Sequence, residues 1–188
     1  QKGLGINDPY KDLKIASNEF AKEIWDKIKN ELDFEKKDYE TFRRIFICAA
    51  VANSIEWFIS GYDFSVDNFK QDLKTAESKI ALDETLSLWN DIQNSKSVLY
   101  ILDNAGEAVI DLDVAKYLKN FIKHLFIAAR ENPVLNDITF NEAIELGFGE
   151  IADEVIPVGW FIGVHLDKED LNPRFREVFD KVDLVIAK

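Results

Sequence analysis

The chain has 188 residues, 47% hydrophobic and 31% charged, enough for one substantial core or for a larger lobe with a smaller one. Its net charge of −12, with Lys and Arg scattered rather than gathered in a patch, argues against nucleic acid or an anionic membrane as partner. The longest apolar run, Ile45 to Ala52, falls far short of the ~20 residues of a membrane-spanning helix.

The chain opens at Gln1 and contains no methionine, so we expect it to be part of a longer protein. From Asp12, apolar Leu13, Phe20, Ile24, Ile28 and Leu32 recur at helical intervals with Lys and Glu between them, which predicts an amphipathic helix. Phe42, Ile45, Phe46 and Ala49 begin a second helix, apolar all round and therefore more buried. Its Cys48 is the only cysteine, so no internal disulfide forms, and a reducing cytoplasm is the expected compartment. A buried small hydrophobe is the simplest role for that thiol. Asn53 and Glu56 interrupt the apolar stretch three residues apart, on one helix face, where a buried amide and carboxylate need partners. They serve either a network joining two lobes or the site itself. Phe64-Ser65-Val66-Asp67 predicts a capped third helix, and Ile80 to Ile92 a fourth.

The second half alternates strand and helix. Strands are predicted at Val98–Leu102, Leu125–Ala129, Glu154–Val158 and Leu184–Ala187, with helices at Ala108–Ile122, Phe140–Leu146 and Pro173–Lys181. The fold class is therefore α/β, with a parallel, doubly covered sheet at about 95–188 preceded by a helical lobe at about 1–94.

The first strand runs into Asp103-Asn104-Ala105-Gly106-Glu107, and the second into Arg130-Glu131-Asn132-Pro133-Val134-Leu135-Asn136-Asp137. Gly159 follows the third strand and Lys188 the fourth. In a parallel sheet all four places lie on one edge, where open α/β sheets bind ligands. Asp and Asn oxygens without a nearby imidazole or thiolate suit a hard divalent cation. Asp137 is equally readable as a helix cap, and Asp103-Asn104 as a polar turn. Glu107 favours the positive end of the following helix and points toward the same rim. His124 and His165 lack ligand spacing and read as structural. No P-loop, nucleophile elbow or dinucleotide fingerprint occurs. A nucleophilic aspartate at Asp103 is disfavoured, because the position two residues on is Ala105.

Leu102-Asp103-Asn104-Ala105-Gly106-Glu107 with Asp111, followed by Asn132-Pro133-Val134-Leu135-Asn136-Asp137-Ile138-Thr139, resembles the damage-control phosphatases, in their compact archaeal-type branch. Asp8-Pro9-Tyr10 with Lys14, Ala52-Asn53-Ser54-Ile55-Glu56, Val158-Gly159 with Gly163, and Ala187-Lys188 extend the likeness over nearly the whole chain. The resemblance implies a Rossmann-like three-layer α/β/α lobe packed against the helical lobe. It implies one divalent metal (Mn, Co, Ni or Mg) on Asp103, Asn104 and Asp137, and hydrolysis of phosphate monoesters of small metabolites, sugar phosphates or damaged phospho-metabolites. It also implies a phosphate-gripping loop beyond Lys188, and a cysteine-containing segment ahead of Gln1. In that expectation Asp103 or Glu107 orients or deprotonates the attacking water. Asn53, Glu56, Asn136, Gly159 and Lys188 contact the phosphorylated substrate. An S-adenosylmethionine-dependent carboxyl methyltransferase and a non-catalytic metal- or metabolite-binding protein are the alternatives. Oligomeric state is not legible in the sequence.

Overall fold

The computed structural model describes residues 7–53, 65–159 and 171–188. Helices α1 (Lys11–Ile28), α2 (Tyr39–Val51), α3 (Val66–Lys79) and α4 (Thr85–Asn94) come first. Then β1 (Ser97–Ile101), α5 (Glu107–Leu118), β2 (His124–Ala129), α6 (Phe140–Leu146), β3 (Glu154–Pro157), α7 (Pro173–Phe179) and β4 (Leu184–Ala187) alternate. The helix starts have chemical causes. Asp38 and Ser65 accept backbone N–H groups at the heads of α2 and α3, and Asn172 caps α7 ahead of Pro173. Thr139 and Glu142 form a reciprocal capping box on α6, which ends on left-handed Gly147.

The four strands are parallel in the order β3-β2-β1-β4. Period-two alternation sends Val98, Tyr100 and Leu102 to one face and Leu99 and Ile101 to the other. The first set packs with α1, α2, α4, α5 and α6 in one core that includes Trp25, Phe42, Ile92, Val114 and Phe148. The second set packs under α7 through Phe175 and Val178. Both faces are covered, as the apolar runs required. The core is continuous across residue 94, so the helical segment and the sheet share it. The chain steps outward from β1 to β2 to β3, then returns to the far side of β1 for β4. The crevice where strand order reverses therefore lies at the carboxyl ends of β1 and β4.

Several expectations need correction. Leu13 is 41% exposed, and the buried face of α1 is instead Lys14, Ser17, Ala21, Ile24, Trp25 and Ile28. The fourth helix starts at Thr85, leaving Ile80 and Leu82 exposed before it. α5 stops at Leu118 rather than Ile122, and α7 at Phe179. α2 ends at Val51, so Asn53 lies beyond it and is exposed rather than buried. Glu56, Gly163, His165 and the Phe64 start of the third segment fall outside the described residues. Among the described residues, no helix is long and apolar enough to cross a membrane.

Candidate functional site

The site is built where β1 and β2 end. After Ile101 the chain leaves the sheet as Leu102-Asp103-Asn104, while the loop after β2 folds back so that Asn104 and Asp137 form an isolated antiparallel bridge. Ile138 N–H donates to the Asp103 carbonyl at 2.7 Å and Ala105 N–H to the Asn136 carbonyl at 2.9 Å. A turn closed by Asp137 N–H on the Val134 carbonyl (2.9 Å) delivers the Asp137 side chain, with Leu135 at φ 47 inside it. Asp103, Asn104, Asn136 and Asp137 are thus one constellation on two stitched loops. Thr139, not Asp137, caps α6, so the cap reading of Asp137 is set aside.

Asn104 is 7% exposed, and its amide orientation is fixed by acceptors. Nδ2 donates to Glu107 Oε1 at 2.9 Å and to Asp103 Oδ2 at 3.0 Å, with Asn53 Oδ1 at 3.3 Å. An amide that commits its N–H groups to carboxylates keeps its oxygen for a donor or cation. Asn53, exposed at the end of the helical segment, accepts this contact from Asn104.

Glu107, 2% exposed, accepts from both the backbone N–H (3.0 Å) and the side chain of Asn104. Its other oxygen meets Lys188 Nζ at 3.1 Å. Lys188 also lies 3.3 Å from Asp111 Oδ1 and donates to the Ala49 carbonyl. An ammonium has three protons, and these partners occupy all of them. Lys188 and Glu107, expected to meet substrate and water, therefore sit behind Asn104 and tie β4, α5 and α2 together. Burial opposes the Lys188 charge, but Asp111 and Glu107 more than offset this and hold the ammonium above its usual range. Burial pushes the wholly enclosed Asp111 up to about 6 against the opposing pull of Lys188 and the Tyr100 hydroxyl, which donates to it at 2.7 Å.

Asp137, 9% exposed, accepts Arg130 Nε at 2.6 Å. This arginine, the first residue after β2, was not singled out in the sequence. Its position, like that of Asp103, immediately follows a strand, and that was the signal available. Gly159, buried past the end of β3 with φ 119, bridges to Leu171. A side chain there would be strained.

Two carboxylates and an amide oxygen, with no imidazole or thiolate beside them among the described residues, fit a hard cation. A carboxylate has about four lone-pair sites, so the Arg130 contact leaves Asp137 capacity for one. Among the described residues no cluster of three His, Cys, Asp or Glu side chains stands close enough to hold a metal, so the set depends on Asn104. Cys48 takes no part. Burial pushes its thiol up to about 12, and it lies on the wall of a cavity of about 330 Å³ against α1 and α3, lined by none of the site residues.

The model of the Damage-control phosphatase ARMT1-like domain matches residues 1–188. The chain is 31% identical over 184 residues to a Methanocaldococcus jannaschii protein named only as uncharacterized, covering 97% of this chain and 59% of that one. It is 28% identical to damage-control phosphatases of Pyrococcus horikoshii (100% of this chain, 62% of the relative) and Archaeoglobus fulgidus (98% and 62%). The crystal structure of a DUF89 family protein from Pyrococcus horikoshii superimposes with a TM-score of 0.81 at 27% identity, covering 99% of this chain and 62% of that one. The chain spans about three fifths of the length of the curated relatives it matches. With a family model covering every residue and a shared fold beneath it, the chain belongs to the ARMT1-like damage-control phosphatase family.

Proposed function

We propose that this chain carries the cation-binding part of a phosphatase acting on phosphate monoesters of small metabolites, sugar phosphates or damaged phospho-metabolites. The observation that carries the reading is the bridge between Asn104 and Asp137, which gathers two carboxylates and an amide at the carboxyl ends of adjacent parallel strands. Relatives named as damage-control phosphatases support it.

In this reading Asp103, Asn104 and Asp137 hold one divalent cation, Mn²⁺, Co²⁺, Ni²⁺ or Mg²⁺. When bound, it supplies positive charge to the phosphoryl oxygens and lowers the pKa of water. The protein's own groups do the rest. Asp103 is only half-buried and aligns the attacking water as general base. Glu107 fixes the Asn104 amide so that its oxygen faces the site, and Lys188 neutralises Glu107 from behind. Arg130, already on Asp137, adds a guanidinium suited to phosphate oxygens. Asn53 closes the rim from the helical side, and Asn136 contributes the carbonyl that holds Ala105. The backbone near Gly159 completes the substrate wall. The acidic surface gives nucleic acids and anionic membranes no purchase, and the single buried thiol suits the cytoplasm.

The test is release of inorganic phosphate from a panel of sugar phosphates with each of the four metals. Asp103→Ala and Asp137→Asn are expected to lower the rate about a hundredfold or more. No release with any metal, or full activity in Asp103→Ala, refutes the reading.

A further inference from the structure

Helix α1 carries an anomaly on its core face. Lys14 is 1% exposed, where an ammonium is costly unless fully paired. It is fully paired. Nζ lies 2.6 Å from Asp8 Oδ2, 2.6 Å from Glu142 Oε1 and 2.9 Å from Glu142 Oε2. Glu142 is the capping-box residue of α6, and the same Oε2 accepts the Thr139 N–H and hydroxyl, both at 2.8 Å. Thr139 ends the loop that carries Asn136 and Asp137. Lys14 therefore grips that loop at one remove, through a carboxylate with no freedom left.

One helical turn on, Asn18 Oδ1 accepts the Gly106 N–H at 2.6 Å. Gly106 is the N-cap of α5, held at φ 86 and ψ −66, and it ends the other loop, Asp103 to Gly106. Residues four apart stand about 6 Å apart along one helix face. A single rigid face of α1 thus reaches one loop end directly, at Gly106, and the other through Glu142.

We infer that Lys14 and Asn18 are positioning residues, a brace on α1 that sets the placement of Asp137 relative to Asp103 and Asn104. The need for a brace follows from the size of the proposed cation. A cation such as Mg²⁺ would take its oxygen ligands at about 2.0–2.1 Å, so a slip of about 0.5 Å between the loops would disrupt the set. The two backbone bonds between the loops fix their contact, and α1 adds a third body that holds both from outside. The inference rests on the proposed cation site, and its test separates the two.

The variants are Lys14→Met and Asn18→Leu, with Asn18→Asp keeping an acceptor for Gly106. In the purified, metal-free protein, amide exchange measured by NMR is expected to rise tenfold or more at Gly106 in Asn18→Leu and at Asp137 to Thr139 in Lys14→Met. Amides within α5 from Ile110 to Leu118 should keep the parent's protection, which a general loss of stability would not allow. Calorimetric titration with Mn²⁺ is expected to show affinity weakened about ten- to a hundredfold in both variants and restored to within about threefold in Asn18→Asp. Unchanged exchange at both loops overturns the brace. So does Mn²⁺ affinity within twofold of the parent in folded Lys14→Met and Asn18→Leu. A parent that binds no Mn²⁺ refutes the cation site alone, and exchange then decides the brace. Should Lys14→Met fail to fold, the Asn18 pair decides it in the same way.

Discussion

Asp111 offers a quantity that stability measurements can isolate. Its carboxyl is wholly buried behind Asn104, with Tyr100, Lys188 and Glu107 as the titratable groups facing it. One oxygen receives the Tyr100 hydroxyl, and the other, Oδ2, has no hydrogen-bond partner among the described residues. Burial lifts the carboxyl from 3.8 to about 6 in the folded protein. Its neutral form is thus favoured by folding. The associated stability is present in full below pH 3.8 and is lost as pH rises through about 6. At 1.36 kcal/mol per pH unit, the loss amounts to about 3 kcal/mol.

Asp111→Asn removes this contribution and keeps an acceptor for Tyr100. The stability of the variant minus that of the parent should therefore climb by about 3 kcal/mol between about pH 4 and about pH 7. A fixed offset from the new buried amide leaves that slope untouched. Carboxylates elsewhere act with the opposite sign. Asp26, accepting from Lys22 and Lys29, and Asp83, accepting from Thr85 and Arg43, are held down at about 2, so their contribution is lost as pH falls. They are common to both proteins and cancel in the difference. Urea unfolding followed by the fluorescence of buried Trp25 measures it. A difference flat to about 1 kcal/mol, or one falling with pH, would mean that Lys188 already pairs Asp111 well enough to keep it ionised, and the reasoning from burial fails.

Leu135 holds φ 47 with its side chain 58% exposed, so Leu135→Asn relieves left-handed strain at little packing loss. Thermal unfolding should show a gain of about 0.5–1 kcal/mol; a loss would reveal packing by the leucine that its exposure does not suggest. Gly147 ends α6 at φ 104, and among the described residues no atom beyond its own neighbours in the chain lies within 4 Å of where a Cβ would stand. Gly147→Ala should therefore cost about 1 kcal/mol through backbone strain alone, read as a lowered urea midpoint with an unchanged slope.

Patterns that repeat along the chain were legible in the sequence. The four strands and α6 are legible within a residue, because apolar runs such as Val98–Leu102 are local signals, whereas the cap of α6 is Thr139 and not the Asp137 that the sequence offers. The carboxyl-end rule then brings Asp103, Asn104, Asn136 and Asp137 to one edge of the sheet. What stayed hidden depends on pairing across long stretches of chain. Lys14 lies on the same helix as Leu13 in a region of mixed charge. Helical periodicity assigns the leucine to the core and the lysine to water. The structure does the reverse, because Asp8 and Glu142, the second 128 residues away, neutralise the lysine where it sits.

Lys188 shows the same limit from the other side. A cation at a strand end beside two carboxylate loops reads as a phosphate ligand. Its fate is decided instead by Glu107 and Asp111, which one turn of α5 stacks on the face that β4 meets. Both residues were visible in the motif after β1. Their spacing of four gave the helix face, but only the return of β4 beside β1 brought Lys188 onto it. The carboxylates that announce the site thus need a buried counter-charge, and the topology supplies it from an element the local motif could not specify.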